Sequence, residues 1–155
     1  MSERDSRNEL VWGQENQKKL YDKKVLVVGS DILAQMILGG LTGLGINNLY
    51  VMDNNRITRK GLDFLFSHND LNIGQKKVKH IESMLKRINP SIEKVEGIHS
   101  KFSEAFVYPI EPEIIIDATN DITSKEKAVE YSTKYKIPLI SASSGKGIGI
   151  MANFI

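Results

Sequence analysis

No cysteine occurs among the 155 residues, which excludes a disulfide, a cysteine-ligated zinc site, and any cysteine nucleophile or thioester on this chain. Long apolar runs are also missing: none approaches the ~18 residues that a membrane span needs, and the polar, charged Met1–Asn8 segment is unlike a signal peptide. Charge of one sign is scarce, because 21 Lys and Arg against 19 Asp and Glu leave a net +2. That balance gives no ground for a nucleic-acid partner, and Lys76, Lys77, Lys79, Lys86 and Arg87 read as the solvated face of one helix. His68, His80 and His99 lack metal-ligand spacing, so no metal site is expected and each should be solvated or satisfied locally. Internal repeats and low-complexity tracts are absent too. These absences lead to the expectation of a cytoplasmic protein, with the nucleus as the alternative, that engages neither membrane nor nucleic acid.

What is present describes one domain over residues 1–155, with residues 1–20 as an N-terminal arm; 41% hydrophobic and 26% charged residues suffice for a real core. Near-continuous apolar runs at Val25–Val28, Leu49–Met52, Ile114–Ile116 and Pro138–Ile140 predict strands buried on both faces, the mark of a parallel sheet. Between them lie helical patterns. One runs from Asp31 to about Leu44, where Gly39, Gly40 and Gly43 imply close packing or an early end. Another spans Ile73–Ile88, with Val78, Ile81, Leu85 and Ile88 on one face and Asn89-Pro90 as its stop. A third spans Thr123–Tyr135, opened by Thr123 and Glu126 as a capping box. Ser143-Ser144-Gly145-Lys146-Gly147 reads as a flexible loop ahead of a strand-like end from Ile148 to Ile155. The fold class is therefore α/β, a doubly wound, mostly parallel, Rossmann-like sheet.

The Val25–Val28 strand runs into Gly29-Ser30-Asp31 and opens a helix, the layout of a first nucleotide-binding crossover. In G-x-G-x-x-G the middle glycine lets the backbone approach phosphate, and here that position is Asp31. A carboxylate there repels phosphate by about 1 kcal/mol at 4 Å in water and about 4 kcal/mol at an effective dielectric of 20.

Further landmarks follow in order. Arg4-Asp5-Ser6-Arg7-Asn8 precedes Trp12-Gly13; Leu44-Gly45-Ile46 precedes a strand ending in Asp53, with Asn55 two residues on. Then come Asn72-Ile73-Gly74-Gln75-Lys76-Lys77, Ile88-Asn89-Pro90, Asp117-Ala118-Thr119-Asn120-Asp121, and Pro138-Leu139-Ile140-Ser141. Together they resemble the ThiF/MoeB and ubiquitin-activating-enzyme superfamily over nearly the whole chain. Trp12-Gly13, the lost glycines, and Ile57-Thr58-Arg59-Lys60 before Phe64-Leu65-Phe66 are most similar to the smaller, non-catalytic subunit of the SUMO-activating heterodimer.

The resemblance implies a ThiF-type domain that adenylates the C-terminal carboxylate of a ubiquitin-like protein with ATP and magnesium. Asp53 would hold the ribose hydroxyls, with Asn55 in place of a second acid, and Lys77 would contact phosphate; otherwise Asp53 caps a strand end and Lys77 is a surface lysine. Three departures act against Mg-ATP. Asp31 is one. The phosphate-binding arginine has no equivalent in Lys60–Leu65, leaving Arg56 or Arg59 to reach from elsewhere. The family's magnesium-binding aspartate is Asn120, with Asp121 beside it, and a neutral amide suits a hard dication poorly.

Arg7 is retained, and by resemblance it crosses a dimer interface to the partner's nucleotide, like an arginine finger in trans; otherwise it is an ordinary charge near a frayed terminus. Trp12 should anchor its segment by burial. The implied function is a degenerate, non-catalytic half of a homo- or heterodimer with another ThiF-type subunit, in which ATP and magnesium binding is weakened. A competent adenylyltransferase and an NAD-binding oxidoreductase domain are the rivals. The chain reaches Asn153-Phe154-Ile155 where the family continues into more sheet and substrate-binding segments, so a truncated domain is expected.

Overall fold

Alternate residues of the first strand point to opposite faces of a sheet, and that alternation builds two cores. The computed structural model describes residues 3–60, 70–145 and 148–154. Its strands are β1 (Lys24–Val28), β2 (Asn48–Met52), β3 (Lys94–Ile98), β4 (Ile114–Asp117), β5 (Leu139–Gly145) and β6 (Ile148–Phe154), in the sheet order β3-β2-β1-β4-β5-β6. The first five are mutually parallel, with β1 flanked by β2 and β4, while β6 returns antiparallel to β5. The helices are α1 (Ser6–Trp12), α2 (Gln14–Tyr21), α3 (Ile32–Gly43), α4 (Lys77–Ile88), α5 (Glu104–Val107) and α6 (Ile122–Tyr135). Among the described residues, no helix is long and apolar enough to cross a membrane.

Val25, Val27, Leu49 and Val51 meet Leu38 of α3 and Val78, Ile81 and Leu85 of α4 on one face. Leu26, Val28, Tyr50 and Met52 meet Val107 of α5 and Ala128 and Tyr131 of α6 on the other. A sheet covered on both sides is what the uninterrupted apolar runs require. Each of these large side chains, when fully buried, contributes about 1.5–3 kcal/mol.

Several boundaries differ from the sequence reading, for local reasons. The glycines of α3 do not end it early, because Arg4 Nη2 donates to Thr42 O (2.9 Å) and Asn8 Nδ2 to Gly43 O (3.2 Å), satisfying carbonyls of its last turn. Helix α4 starts at Lys77 rather than Ile73, because a short 3-10 turn at Asp70–Asn72 and a left-handed Gly74 (φ 87°) precede it. The cap of α6 is Asp121, not Thr123: its Oδ2 accepts from Ser124 N (3.0 Å) and Ser124 Oγ (2.6 Å). Ser143–Gly145 is strand rather than loop, paired in register with Ile148–Ile150 of β6. Lys146 and Gly147 of that expected loop lie outside the described residues, as do Gly61–Leu65 and His68.

The N-terminal arm is two short helices lying against the end of α3. Trp12 is half-buried and donates from Nε1 to Gln17 Oε1 (2.8 Å), while the wholly buried Gln17 donates to Leu44 O (2.9 Å). Burial at Trp12 thus anchors the arm, as its residue type suggests. His80 meets Gln75 Oε1 at 2.7 Å, in keeping with local satisfaction. His99 departs from it, because its Nδ1 is buried without a hydrogen-bond partner.

Candidate nucleotide site

The strand order reverses its winding between β1 and β4, and ligands of such sheets bind outside the strand C-termini at that crevice. A cleft of about 180 Å³ lies there, lined among others by Gly29, Asp53, Asn55, Lys101, Phe102 and Asp121. A roomier cavity of about 350 Å³, among Asp5, Tyr21, Asn47 and Asn89, sits at the N-terminal edge of the sheet, away from the crevice.

Gly29 is fixed by geometry rather than by habit. Its φ of 114° is strained for any side chain, and a Cβ would lie 2.9 Å from both the carbonyl carbon and oxygen of Ala118. The turn therefore brings β1 and β4 to backbone contact beside the cleft.

Asp53 directly follows β2 and is 8% exposed. Ser30 Oγ donates to its Oδ2 (2.8 Å) and Asn55 N to its Oδ1 (2.6 Å), so the carboxylate is aimed and held at the cleft edge. Each oxygen keeps one lone pair for a further donor, which suits a pair of ribose hydroxyls. Asn55 also closes the wall, its carbonyl accepting from Lys77 N at 3.2 Å.

The phosphate side of the site is where the structure adds most. Asp31 is the N-cap of α3 yet makes no side-chain cap bond. Its Oδ1 instead accepts from Lys77 Nζ in a short ion pair across to α4. Lys77 is buried to 10% side-chain exposure and Asp31 is 52% exposed, so the surface alternative for this lysine does not hold. The residue expected to repel phosphate and the residue expected to bind it are thus paired with each other. A buried ammonium needs a counter-anion, and in this chain the protein supplies it.

Asn120 and Asp121 occupy the β4–α6 turn without forming a cation cage. Asn120 is exposed and does not line the cleft. Asp121 gives Oδ2 to the cap of α6, while its Oδ1 lies 3.6 Å from Lys101 Nζ. The hydrogen bonds from Ser124, and then the Lys101 charge, hold its carboxyl below the usual carboxylate range. Magnesium does not fit this donor set: one ligand is a neutral amide, and the other is already committed to a helix N-terminus and an ammonium. Asp117, the first residue of the same motif, is structural. It is wholly buried, accepting from Lys125 Nζ (2.6 Å), Ser141 Oγ (2.6 Å) and Thr119 N (3.0 Å).

Arg56, a candidate stand-in for the missing arginine, donates to Gly74 O at 2.8 Å and is held there; Arg59 is exposed. Lys101, Phe102 and Ser30 were not anticipated. Lys101 and Phe102 follow β3, whose Val95-Glu96-Gly97-Ile98 pattern, read as a strand, places them at the crevice.

Arg7 stands apart from all of these. It is exposed on α1, with no hydrogen bond or ion pair among the described residues. Its helix is tied to the last turn of α3, whereas Asp31 sits at the first. The 12 residues of α3 separate the two by about 18 Å at ~1.5 Å per residue. Arg7 is also absent from the residues that line the cleft.

The ThiF family model matches residues 5–154. The chain belongs to the ThiF family. The domain is 29% identical over 134 residues to the adenylyltransferase and sulfurtransferase MOCS3-1 of Zea mays, covering 86% of this chain and 29% of that protein. Against the molybdopterin-synthase adenylyltransferase of Haemophilus influenzae it is 28% identical over 132 residues, covering 84% and 54%. This ThiF domain thus spans from under a third to about half the length of these relatives. Solved structures show the same fold: E. coli MccB with succinimide superimposes with a TM-score of 0.86 at 20% identity, over 99% of this chain and 48% of that one. E. coli TcdA in complex with ATP gives 0.84 at 19%, over 94% and 61%.

Proposed function

We propose that this ThiF domain is a degenerate half of an adenylating dimer: it lends Arg7 to a partner's nucleotide site and does not run one of its own. The Asp31–Lys77 ion pair carries this reading, because it uses the phosphate-binding ammonium internally. The attachment of its helix to the end of α3 remote from Asp31 supports action in trans, as in an arginine finger supplied by another subunit. The partner is another ThiF-type subunit, a second copy or a different chain, and the carboxylate it adenylates belongs to a ubiquitin-like protein. The narrower resemblance read from the sequence, to the smaller subunit of the SUMO-activating pair, is part of this proposal.

A second reading, a competent adenylyltransferase, is favoured by the names of the relatives, which are adenylyltransferases. Family membership speaks against the oxidoreductase reading. ATP–pyrophosphate exchange separates the first two. The chain alone is expected to show none, and adding an adenylating ThiF-type partner should give exchange that falls on the order of 10³-fold with Arg7→Ala in this chain. Exchange sustained by the chain alone would favour the competent enzyme and end the helper reading.

A further inference from the structure

Lys77 and Lys101, the lysines that the site brings to the crevice, each already have a carboxylate. Lys77 is held by Asp31, and Lys101 Nζ lies 3.6 Å from Asp121 Oδ1. Asp53 adds a carboxylate that meets a hydroxyl and a backbone amide but no ammonium group among the described residues. The hydrogen-bonding capacity left over is for donors, not anions, because both Asp53 oxygens keep an open lone pair. Val28, Met52 and Phe102 are the apolar residues of the lining.

We infer that the cleft selects an uncharged nucleoside over its phosphorylated forms, with affinity falling from nucleoside to monophosphate to triphosphate. This rests on the reading of the chain as a half without its own phosphate site, and it names the ligand class that such a half retains. Two diol hydroxyls donate to Asp53 while the base lies against Phe102. Each added phosphate brings charge toward Asp31 and Asp121, whose lysine partners are already engaged. Salt acts differently on the two ends of the series: screening weakens the repulsion of a triphosphate and leaves a neutral ligand unaffected.

The test is titration of the full, ¹⁵N-labelled chain with adenosine, AMP and ATP plus magnesium at low and high salt, following amide shifts. Adenosine is expected to shift Gly29, Asn55 and Phe102 and to bind at least tenfold tighter than ATP, whose weak affinity should improve with salt. Asp53→Asn should abolish the adenosine shifts while leaving the spectrum folded. Tighter binding of ATP than adenosine, ATP affinity that falls with salt, or no adenosine shift at those amides overturns the inference. Pyrophosphate exchange reads the helper role separately, so exchange activity alongside a preserved nucleoside preference would sink that reading and not this one.

Discussion

Asp31→Gly is expected to raise the affinity of the chain for ATP at least tenfold. The substitution removes a carboxylate from the place where the family motif has a glycine, and it releases Lys77 to meet phosphate. A unit charge about 4 Å from a phosphate oxygen is worth about 1–4 kcal/mol between water and a partly screened site. Asp31 is half exposed, so the lower part of that range applies, and about 1.4 kcal/mol is already tenfold. Backbone strain does not intervene, because residue 31 has a φ of −79° and makes no side-chain cap bond that would be lost. The empty variant should be less stable than the parent, since Lys77 is then a buried ammonium without a counter-charge. Thermal unfolding with and without ATP checks both signs: a lower midpoint without ligand, and a larger upward shift with it. Asp31→Asn, which keeps the shape and removes the charge, should move the ligand-induced shift the same way. No gain in either variant would mean that the ion pair does not control phosphate binding.

The largest stability effect is expected from Gly97→Ala in β3. A Cβ there would lie 2.6 Å from Val78 O and 2.8 Å from Val78 C, both backbone atoms of α4, so a side-chain rotation cannot relieve the clash. The helix must lift off the strand, and overpacking of this kind costs up to about 3 kcal/mol. Against a total of about 5–15 kcal/mol for a typical domain, that is a large fraction. It also strains the hydrogen bond from Gly97 N to Glu82 and displaces the helix whose first residue is Lys77. Urea unfolding should show the midpoint falling sharply. Gly40→Ala is the control with the opposite sign: a Cβ there meets nothing within 4 Å, and alanine in a helix interior gains up to about 1 kcal/mol over glycine.

The sheet was legible wherever burial is two-sided. Val25–Val28, Leu49–Met52 and Ile114–Ile116 are apolar at every position because both faces are covered, and the structure finds strands at all three. Strand β3 escaped because it is an edge: Lys94 and Glu96 are exposed between buried Val95 and Gly97, leaving too little apolar signal. Missing β3 also hid Lys101 and Phe102, whose place at the crevice depends on it. The pairing of charges beside the cleft was not legible in the sequence. Gly29, Asp53, Asn55 and Asp121 line one cleft, yet Asp31 and Lys77 are 46 positions apart, and nothing local in the sequence says that one neutralises the other. The cap of α6 was misplaced by two residues because Thr123 and Glu126 fit the same box pattern that Asp121 and Ser124 actually satisfy through a different bond.

The role of Asp31 as the internal counter-ion of Lys77 is tested most directly by a crystal structure of the chain soaked with ATP and magnesium. Density is expected to show Lys77 Nζ still against the Asp31 carboxylate, with no ordered triphosphate at the Gly29–Asp31 turn. A Lys77 amine swung onto phosphate oxygens, with a metal ion bound at Asn120 or Asp121, would contradict it.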